Sequence, residues 1–460
     1  MQIQREIERA VRHQVAIDTQ TVKSPEDVAL VVENTKKSLQ NSTYDFSNLD
    51  SIVLHQNGKK RFVKLYPNPY SAESVLCQCV KQILDRTFKV KYPNRNRTIK
   101  SLFAILSAVK QMSDFTIVKF DFKDYFNSVS TIYLFEKFLK HKLLDRFEED
   151  LIKDFSYKTQ YTYAGLSTSN TMAEIIARHF DDAVRQALAS KGILFFERYI
   201  DDSVLIINEH IDEKEISNIL ETALQTIFHD DIIKTVSKCK TKFNSSKFQY
   251  ISKRMLSTVP ESLDYLGYEF WFSLNSKDFV EIKYGITQDK RDKYNKRIDK
   301  LIACYKDPAH TDCGNLELLR HRIAAFSSRE VYLNKRFRSN IWKVKGFISN
   351  YGELRYLLGT GLVHDDTEKF LRNMITDAFK RADIAEPYFL KGSKGVAGYN
   401  LLENMKVNKT ILLVEHIGYS YNSLVKLCNQ IGIDAFDVHG KRRGYGTLAR
   451  DYLIRVKVGY

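Results

Sequence analysis

The sequence has few of the residues that cross-link a chain or break it into loops. Its 460 residues include 6 cysteines, 7 prolines and 19 glycines. The cysteines show no CxxC spacing, which argues against a zinc site and against a disulfide-rich secreted domain and favours reduced thiols in the core. A metal site at Cys77 and Cys79, or at His310 and Cys313, stays open as an alternative. The low proline and glycine contents exclude a collagen-like chain and a disordered one.

Long apolar runs are absent as well. The segment Met1–Arg9 alternates charged and apolar residues and has no apolar core of the signal-peptide kind. No later stretch reaches the length that a bilayer-spanning helix needs. We therefore expect a cytoplasmic protein that is neither secreted nor inserted in a membrane.

Apolar and basic residues are abundant. Hydrophobic residues make up 43% of the chain, enough for a large core, and its length predicts two or three subdomains. The 71 basic side chains exceed the 56 acidic ones, which gives a net charge of +15, and the chain also has 26 tyrosines and 28 phenylalanines. A basic surface with many aromatic rings is typical of proteins that bind nucleic acid.

Hydrophobic periodicity predicts an α+β organisation. Helices are indicated within residues 1–40 and β-rich runs alternate with further helices up to about residue 286. The predicted helices of that central region are 74–88, 101–112, 170–190 and 213–228, and the predicted strand regions are 115–122, 194–208 and 265–273.

Helices are indicated again after residue 286, where an apolar stripe and a basic stripe run along adjoining faces of one predicted helix. Such a helix is able to pack on the protein and face a phosphate backbone at once, although a solvated basic face explains the same pattern. The apolar stripe consists of Ile286, Tyr294, Ile298, Leu301 and Tyr305, and the basic stripe of Lys290, Lys293, Arg297 and Lys300.

Three aspartates carry the strongest chemical signal. Asp201 and Asp202 lie between an aromatic-rich run and an aliphatic run, a pattern that predicts a β-hairpin with both acids at its tip. Adjacent acids near a core repel each other unless a cation neutralises them. Asp121 ends an earlier β-rich run, so the three carboxylates are able to converge as oxygen ligands of two Mg²⁺ ions, with Mn²⁺ as an alternative. Such a metal pair activates a primer 3′-hydroxyl and stabilises the departing pyrophosphate.

In order and spacing, these segments resemble the palm of a reverse transcriptase. Residues 199–202 (Tyr-Ile-Asp-Asp) resemble the third palm motif of that family and Asp121–Phe126 the first. Residues 160–170 resemble the second motif, in which a loop containing Gly165 opens a helix below the nascent base pair, with Ser167, Ser169 and Asn170 available to cap the helix. The resemblance implies a right-hand polymerase with an antiparallel palm sheet and a largely helical thumb region. The domains it implies are N-terminal helices and fingers at 1–114, a palm at 115–275 and a helical C-terminal domain at 276–460.

The same resemblance implies roles for further residues. Lys240, within residues 237–241, corresponds to a catalytic lysine near the departing pyrophosphate, and Phe126 to a steric gate that excludes ribonucleotides. Leu266, Gly267 and Tyr268 resemble the primer-grip hairpin, and residues 95–100 a basic fingers segment that meets the triphosphate. The implied substrate-binding residues are Phe122 (whose backbone also joins the metal ligands), Phe126, Arg97, Lys100, Gln160, Gly165, Ser167 and Tyr199.

One departure from the common pattern points to a subclass. Residues 165–170 (Gly-Leu-Ser-Thr-Ser-Asn) lack the proline of the usual second motif, and this variant resembles the bacterial abortive-infection and antiphage-defence reverse transcriptases. The resemblance implies deoxynucleoside triphosphates as substrates, an RNA template such as a dedicated noncoding RNA, a DNA product, and a second copy or a defence protein as partner. The alternatives are untemplated or protein-primed DNA synthesis, with Tyr460 as one candidate primer, RNA-dependent RNA synthesis, and a non-catalytic RNA-binding scaffold.

Overall fold

A computed structural model describes residues 2–18, 23–56, 59–143, 145–231, 238–336, 339–394 and 397–457. The chain divides into two compact units. The first is Met1–Val259 with Leu274–Val280, and the second is Pro260–Ser273 with Glu281–Tyr460.

Three helices and a two-stranded ribbon begin the first unit. The predicted N-terminal helices are present as α1 (Gln2–Ile17) and α2 (Pro25–Gln40). Strands β1 (Asp50–Gln56) and β2 (Lys59–Leu65) pair antiparallel in the ribbon. Helix α3 (Ala72–Phe88) packs against α1 and α2, because its apolar residues recur at helical spacing on one face.

A four-stranded antiparallel sheet forms the centre of the first unit, in the strand order β4-β5-β3-β6. Strand β3 is buried along its whole length, since the sheet is covered on both sides. The elements from residue 95 onward are α4 (Arg95–Val109), β3 (Thr116–Asp121), α5 (Tyr125–Ser128), α6 (Thr131–Leu134), a π-helical turn (Phe135–Leu139), α7 (Arg146–Thr159), α8 (Ser169–Ala187), β4 (Ile193–Tyr199), β5 (Asp202–Ile207), α9 (Glu213–Phe228), 3-10 turns at Ser245–Lys247 and Lys253–Met255, and β6 (Gln249–Ser252).

Aromatic rings fill the core next to this sheet. Phe122 stacks on Tyr125 with ring centroids 4.9 Å apart and on Phe243 at 5.5 Å, and it meets Phe180 edge to face. Aromatic pairs of this kind add to the stabilisation that burial alone provides. The core therefore fixes the end of β3, where Asp121 lies.

The second unit begins with a three-stranded sheet in the order β7-β8-β9 and a long helix. Its strands are β7 (Glu261–Tyr265), β8 (Tyr268–Leu274) and β9 (Val280–Ile286), with the turn 274–280 counted in the first unit. Helix α10 (Gln288–Lys306) follows and buries Tyr294, Ile298 and Leu301, as the apolar stripe predicts. The remaining elements are α11 (Leu316–Phe326), β10 (Arg329–Arg336), β11 (Ser339–Lys345), α12 (Phe347–Asn350), 3-10 turns at Gly352–Leu357 and Tyr388–Leu390, α13 (Asp365–Arg381), α14 (Leu401–Lys406), β12 (Thr410–Leu413), α15 (Tyr421–Gln430) and α16 (Tyr445–Val456).

A second sheet in this unit was not expected from the sequence pattern, which indicates only helices after residue 286. Strands β10 and β11 form an antiparallel hairpin, and β12 joins β10 in parallel from more than 70 residues further along the chain. The pairing of β12 with β10 over that distance leaves no local sequence signal, and the expectation of helices is wrong for all three strands of an otherwise largely helical region. Within the described ranges, no helix combines the length and apolarity that crossing a membrane requires.

Candidate active site

The strand register of the first unit brings the three predicted carboxylates together. Asp121 ends β3 directly opposite Asp202, the first residue of β5. Tyr199 at the end of β4 pairs with Asp202, so Ile200 and Asp201 form the turn between these strands. Directly paired residues of antiparallel strands have Cβ atoms about 4.5–5.5 Å apart on one face. The backbone amide of Phe122 donates to the carbonyl of Asp201 at 3.1 Å, which ties the turn to the end of β3.

The turn is held in a conformation that its sequence does not favour. Ile200 has a φ of 62°, in the left-handed region that a β-branched residue rarely adopts. The Arg198 guanidinium holds it there, because its Nη1 donates to the Ile200 carbonyl at 2.8 Å and to Glu174 at 2.9 Å. Arg198 also donates to Asp181, and its side chain is only 4% exposed. This buried ion network therefore positions Asp201 and Asp202.

Asp121 is bound by one short segment that precedes β6. The Asn244 backbone amide donates to the Asp121 carbonyl at 2.8 Å, and its side-chain Nδ2 donates to Asp121 Oδ1 at 3.2 Å. The Lys247 ammonium donates to the other carboxylate oxygen, Oδ2, at 2.6 Å. Both oxygens of a carboxylate that is 4% exposed are thus engaged by the segment 244–247.

The carboxylates also influence each other's ionisation. Burial, and next the negative charge of Asp121, raise the pKa of Asp201, although Lys247 and Arg61 oppose the shift. Burial alone lowers the pKa of Lys247, but the hydrogen bond to Asp121 and the charges of all three aspartates outweigh it and raise that pKa. A lysine that responds to three carboxylates lies among them, and it keeps its positive charge there.

The loop of the predicted second motif meets the β1–β2 ribbon. The Lys64 amide donates to the Ala164 carbonyl at 2.9 Å. Gly165 has a φ of 113°, and a Cβ on it would lie 2.5 Å from the Lys64 carbonyl oxygen, so this close approach requires glycine. The Lys64 ammonium lies 3.8 Å from the centre of the Tyr163 ring. The centre of the Tyr161 ring lies 5.9 Å from that of the Tyr163 ring. The Lys240 ammonium lies 4.9 Å from the centre of the Tyr161 ring.

The expected caps of α8 are wrong. The N-cap is Thr168, and its side chain makes no capping hydrogen bond. Ser167 instead lies 3.3 Å from the Cys77 sulfur, and Ser169 donates to the Tyr163 carbonyl. Asn170 lies inside the helix. Ser167 and Ser169 therefore stabilise the loop rather than the end of the helix, because the loop folds back against α3.

Other predicted residues of the first unit have separate positions. The Phe126 side chain is half-buried, and its carbonyl accepts from Thr162 Oγ1 at 2.6 Å. Gln160 directly follows α7 as its C-cap, with a φ of 65° and an exposed side chain. The Phe122 ring is buried in the core, so only its backbone faces the carboxylates. Arg97 and Lys100 are exposed on α4. Ser237 and Tyr460 lie outside the described residues.

The second unit contains the predicted primer-grip and thumb residues. Leu266 and Gly267 form a two-residue turn between β7 and β8, with φ values of 51° and 85°. A Cβ on Gly267 would lie 3.0 Å from the Lys290 side chain of α10, so the turn and the start of the basic stripe are neighbours. Tyr268 is buried, whereas Arg297 lies over the Tyr294 ring and Lys300 is exposed. Lys293 is half-buried on the same helix.

The sequence analysis missed four basic residues of the site: Arg61, Lys64, Arg198 and Lys247. A usable signal exists for the first two, since Asn57-Gly58 between two alternating runs is typical of a hairpin turn and predicts a basic ribbon over residues 50–65. No signal marks Lys247, which contacts Asp121 across 126 positions of sequence.

The donor set suits hard divalent cations. Mg²⁺ prefers carboxylate oxygens, and Asp121, Asp201 and Asp202 offer these without any sulfur or imidazole ligand. Across the described ranges, no group of three or more His, Cys, Asp or Glu side chains is arranged to hold a metal ion as it stands. A cation is nevertheless already present among the aspartates, namely the Lys247 ammonium. The site is therefore one that favours positive charge.

Comparison with known proteins agrees with this chemistry. Residues 56–270 match the protein family described as reverse transcriptase (RNA-dependent DNA polymerase). The matched residues include Asp121, Asp201 and Asp202. No curated protein sequence matches the chain. Among solved structures, the chain is similar to an apo telomerase from Candida tropicalis truncated from its C-terminal domain, with 12% identity and a TM-score of 0.35 over 56% of this chain and 60% of the telomerase chain.

Proposed function

We propose that the chain extends a 3′-hydroxyl with deoxynucleotides on an RNA template, and that Asp121, Asp201 and Asp202 are its catalytic carboxylates. The observation that carries this proposal is the register of β3 with β5, which sets Asp121 opposite Asp202 with Asp201 in the adjoining turn. The reverse transcriptase match spans all three positions.

The three aspartates would hold two Mg²⁺ ions. When bound, such ions supply activation of the 3′-hydroxyl and neutralise the charge that develops on the pyrophosphate. The chain's own part is to fix the donors: Arg198 holds the 200–201 turn, and Asn244 holds the Asp121 carboxylate. The Phe122 backbone at the end of β3 is a further ligand in the proposal.

Residues around the second-motif loop are proposed to handle the nucleotide. Arg61 and Lys64 belong to the β1–β2 ribbon, whose contact with Ala164 and Gly165 brings basic charge to the loop. Arg61 also acts electrostatically on Asp201. Cations in such places suit a triphosphate. Phe126 is proposed as the gate that excludes a 2′-hydroxyl.

Nucleic acid is the proposed partner of the second unit as well. Lys290 on α10 adjoins the Gly267 turn, and the helix continues with further basic residues on its outer side. With a net charge of +15, the protein is expected to retain RNA or DNA through phosphate contacts. The variant second motif supports a role in bacterial antiphage defence, with a dedicated noncoding RNA as the template.

The test is to purify the protein with its retained nucleic acid, add Mg²⁺ and labelled deoxynucleotides, and sequence the product. A DNA complementary to a co-purified RNA supports templated synthesis and identifies the template. A homopolymer or random product, or one released only by protease, overturns the templated part of the proposal in favour of untemplated or protein-primed synthesis. Incorporation that survives in the Asp201→Asn/Asp202→Asn variant overturns the proposed site.

A further inference from the structure

Lys247 is placed to act as a counter-ion of the catalytic carboxylates. Its ammonium lies 2.6 Å from Asp121 Oδ2, and Asp201 and Asp202 act on it electrostatically as well. The Asp121 side chain is 4% exposed, whereas that of Lys247 is 48% exposed. The carboxylate is therefore fixed inside the protein, and the lysine reaches it from the solvent side.

The segment around Lys247 has one fixed contact and one exchangeable contact. Asn244 is anchored through two hydrogen bonds to Asp121, one from its backbone and one from its side chain. Lys247 follows in the single 3-10 turn Ser245–Lys247 and meets Asp121 only through the end of a long, half-exposed side chain. The side chain is thus able to leave the carboxylate while Asn244 keeps the segment in place.

An ammonium and a divalent metal compete for one carboxylate oxygen, because like charges at contact distance repel strongly in a partly buried site. We infer that Lys247 neutralises the catalytic aspartates in the metal-free protein and must be displaced when divalent metal binds, so that this lysine sets the metal concentration at which the site fills. This inference rests on the proposed function, since it takes the three aspartates as the metal ligands.

The experiment is a titration of the full chain with Mn²⁺ at pH 8, followed by the electron paramagnetic resonance signal of free Mn²⁺. Nucleotide is left out, so that binding is measured independently of activity. We expect Lys247→Met to bind Mn²⁺ at least about tenfold more tightly than the wild type, because the competing cation is gone. Lys247→Arg keeps the charge and should stay near the wild-type affinity.

Lys242→Met is the matched control, since it removes the same charge from an exposed position two residues before Asn244. It should leave the Mn²⁺ affinity within about twofold of wild type, because an exposed charge is largely screened by solvent and salt. Thermal melting gives a second readout. In chelator, Lys247→Met should melt below wild type, and added Mn²⁺ should raise its melting temperature more than that of the wild type.

The outcomes separate this inference from the proposed function. If Asp201→Asn/Asp202→Asn abolishes Mn²⁺ binding and Lys247→Met leaves the affinity unchanged or weaker, the counter-ion role is overturned and the metal site stands. If Lys242→Met tightens Mn²⁺ binding as much as Lys247→Met does, the counter-ion role is also overturned, since the effect then comes from the change in net charge alone. If the double aspartate variant binds Mn²⁺ like the wild type, the proposed metal site itself is wrong.

Discussion

Among single residues, Arg198 links the fold to the site most directly. It lies buried between Glu174 and Asp181 and at the same time holds the Ile200 carbonyl. A buried cation with two acidic partners is hard to replace, since its loss leaves uncompensated negative charge. Arg198, two residues before the turn formed by Ile200 and Asp201, therefore supports both stability and the position of Asp201.

Replacing Arg198 should be costly. We expect Arg198→Met to lower the free energy of unfolding by about 3–5 kcal/mol, because two largely buried acids lose their buried partner. Arg198→Lys should lie between this variant and the wild type, since one ammonium cannot reproduce the paired contacts. Urea denaturation measures both, with Arg178→Met on the exposed side of α8 as control. If Arg198→Met lowers the free energy of unfolding by less than about 1 kcal/mol, as for a surface ion pair, the network is not needed for stability.

Phe126 carries a prediction about sugar selection. Shortening it in Phe126→Ala should lower the preference for deoxynucleotides over ribonucleotides about tenfold or more, because the steric exclusion of the 2′-hydroxyl is removed. The ratio of kcat/KM values for the two sugars measures the effect. Phe138→Ala is the control, since that ring stacks on His179. An unchanged ratio in Phe126→Ala would leave Phe126 as a packing residue.

At the scale of elements, contacts between segments far apart in sequence complete the site. The β1–β2 ribbon reaches the second-motif loop through Lys64 and Gly165, and the segment 244–247 reaches the end of β3. Each contact depends on the tertiary fold. Local pattern predicts α9 at 213–228 and the acids at the β4–β5 turn, but it does not reveal Lys247 or the parallel pairing of β12 with β10.

The contact at Gly165 predicts a loosened ribbon. Gly165→Ala puts a Cβ against the Lys64 carbonyl at a φ that disfavours alanine, so the loop and ribbon must separate. We expect faster amide hydrogen exchange in 59–65 and a higher KM for deoxynucleotides. Gly352→Ala, where an added Cβ meets no atom within 4 Å, is the control. Unchanged exchange and KM in Gly165→Ala would refute the role given to this contact.

The β10–β11 hairpin contains a group that titrates near neutral pH. Burial raises the pKa of Glu330 to about 7, and Lys345, opposite it in the strand register, only partly opposes the shift. Because the folded-state pKa is raised, the contribution of Glu330 to stability is fully present below its ordinary value of 4.5 and is lost as pH rises through about 7.

Between pH 5 and pH 9, Glu330→Gln should therefore gain about 1–3 kcal/mol of unfolding free energy relative to the wild type. Denaturation at both pH values measures this difference. Glu415→Gln, at an exposed position of the same unit, should show no such pH-dependent gain. An equal effect of Glu330→Gln at both pH values would contradict the raised pKa.

At the scale of the whole molecule, the sequence predicts the enzyme class and the kind of partner, whereas the division into two units is seen only in the structure. The order of the motifs along the chain predicts the enzyme class and the three aspartates. Strand pairing in the fold then brings these aspartates close together, although they are far apart in sequence. The net charge of +15 predicts a polyanionic partner without identifying it. Of the two compact units, the first contains the carboxylates and the second contains the basic helix α10. Composition does not reveal where one unit ends and the other begins, because the boundary near residue 259 lacks a marked linker.

The measurement that tests the central claim most directly is the rate of single-deoxynucleotide incorporation in Mg²⁺ by Asp121→Asn, Asp201→Asn and Asp202→Asn. Asp124→Asn is the matched control, because Asp124 is exposed only three residues beyond Asp121. The account predicts a loss on the order of 10³-fold in each of the three variants, since each removes a proposed ligand of the catalytic metals, and near wild-type incorporation in the control. Full incorporation by any of the three site variants, or an equal loss in Asp124→Asn, would contradict it.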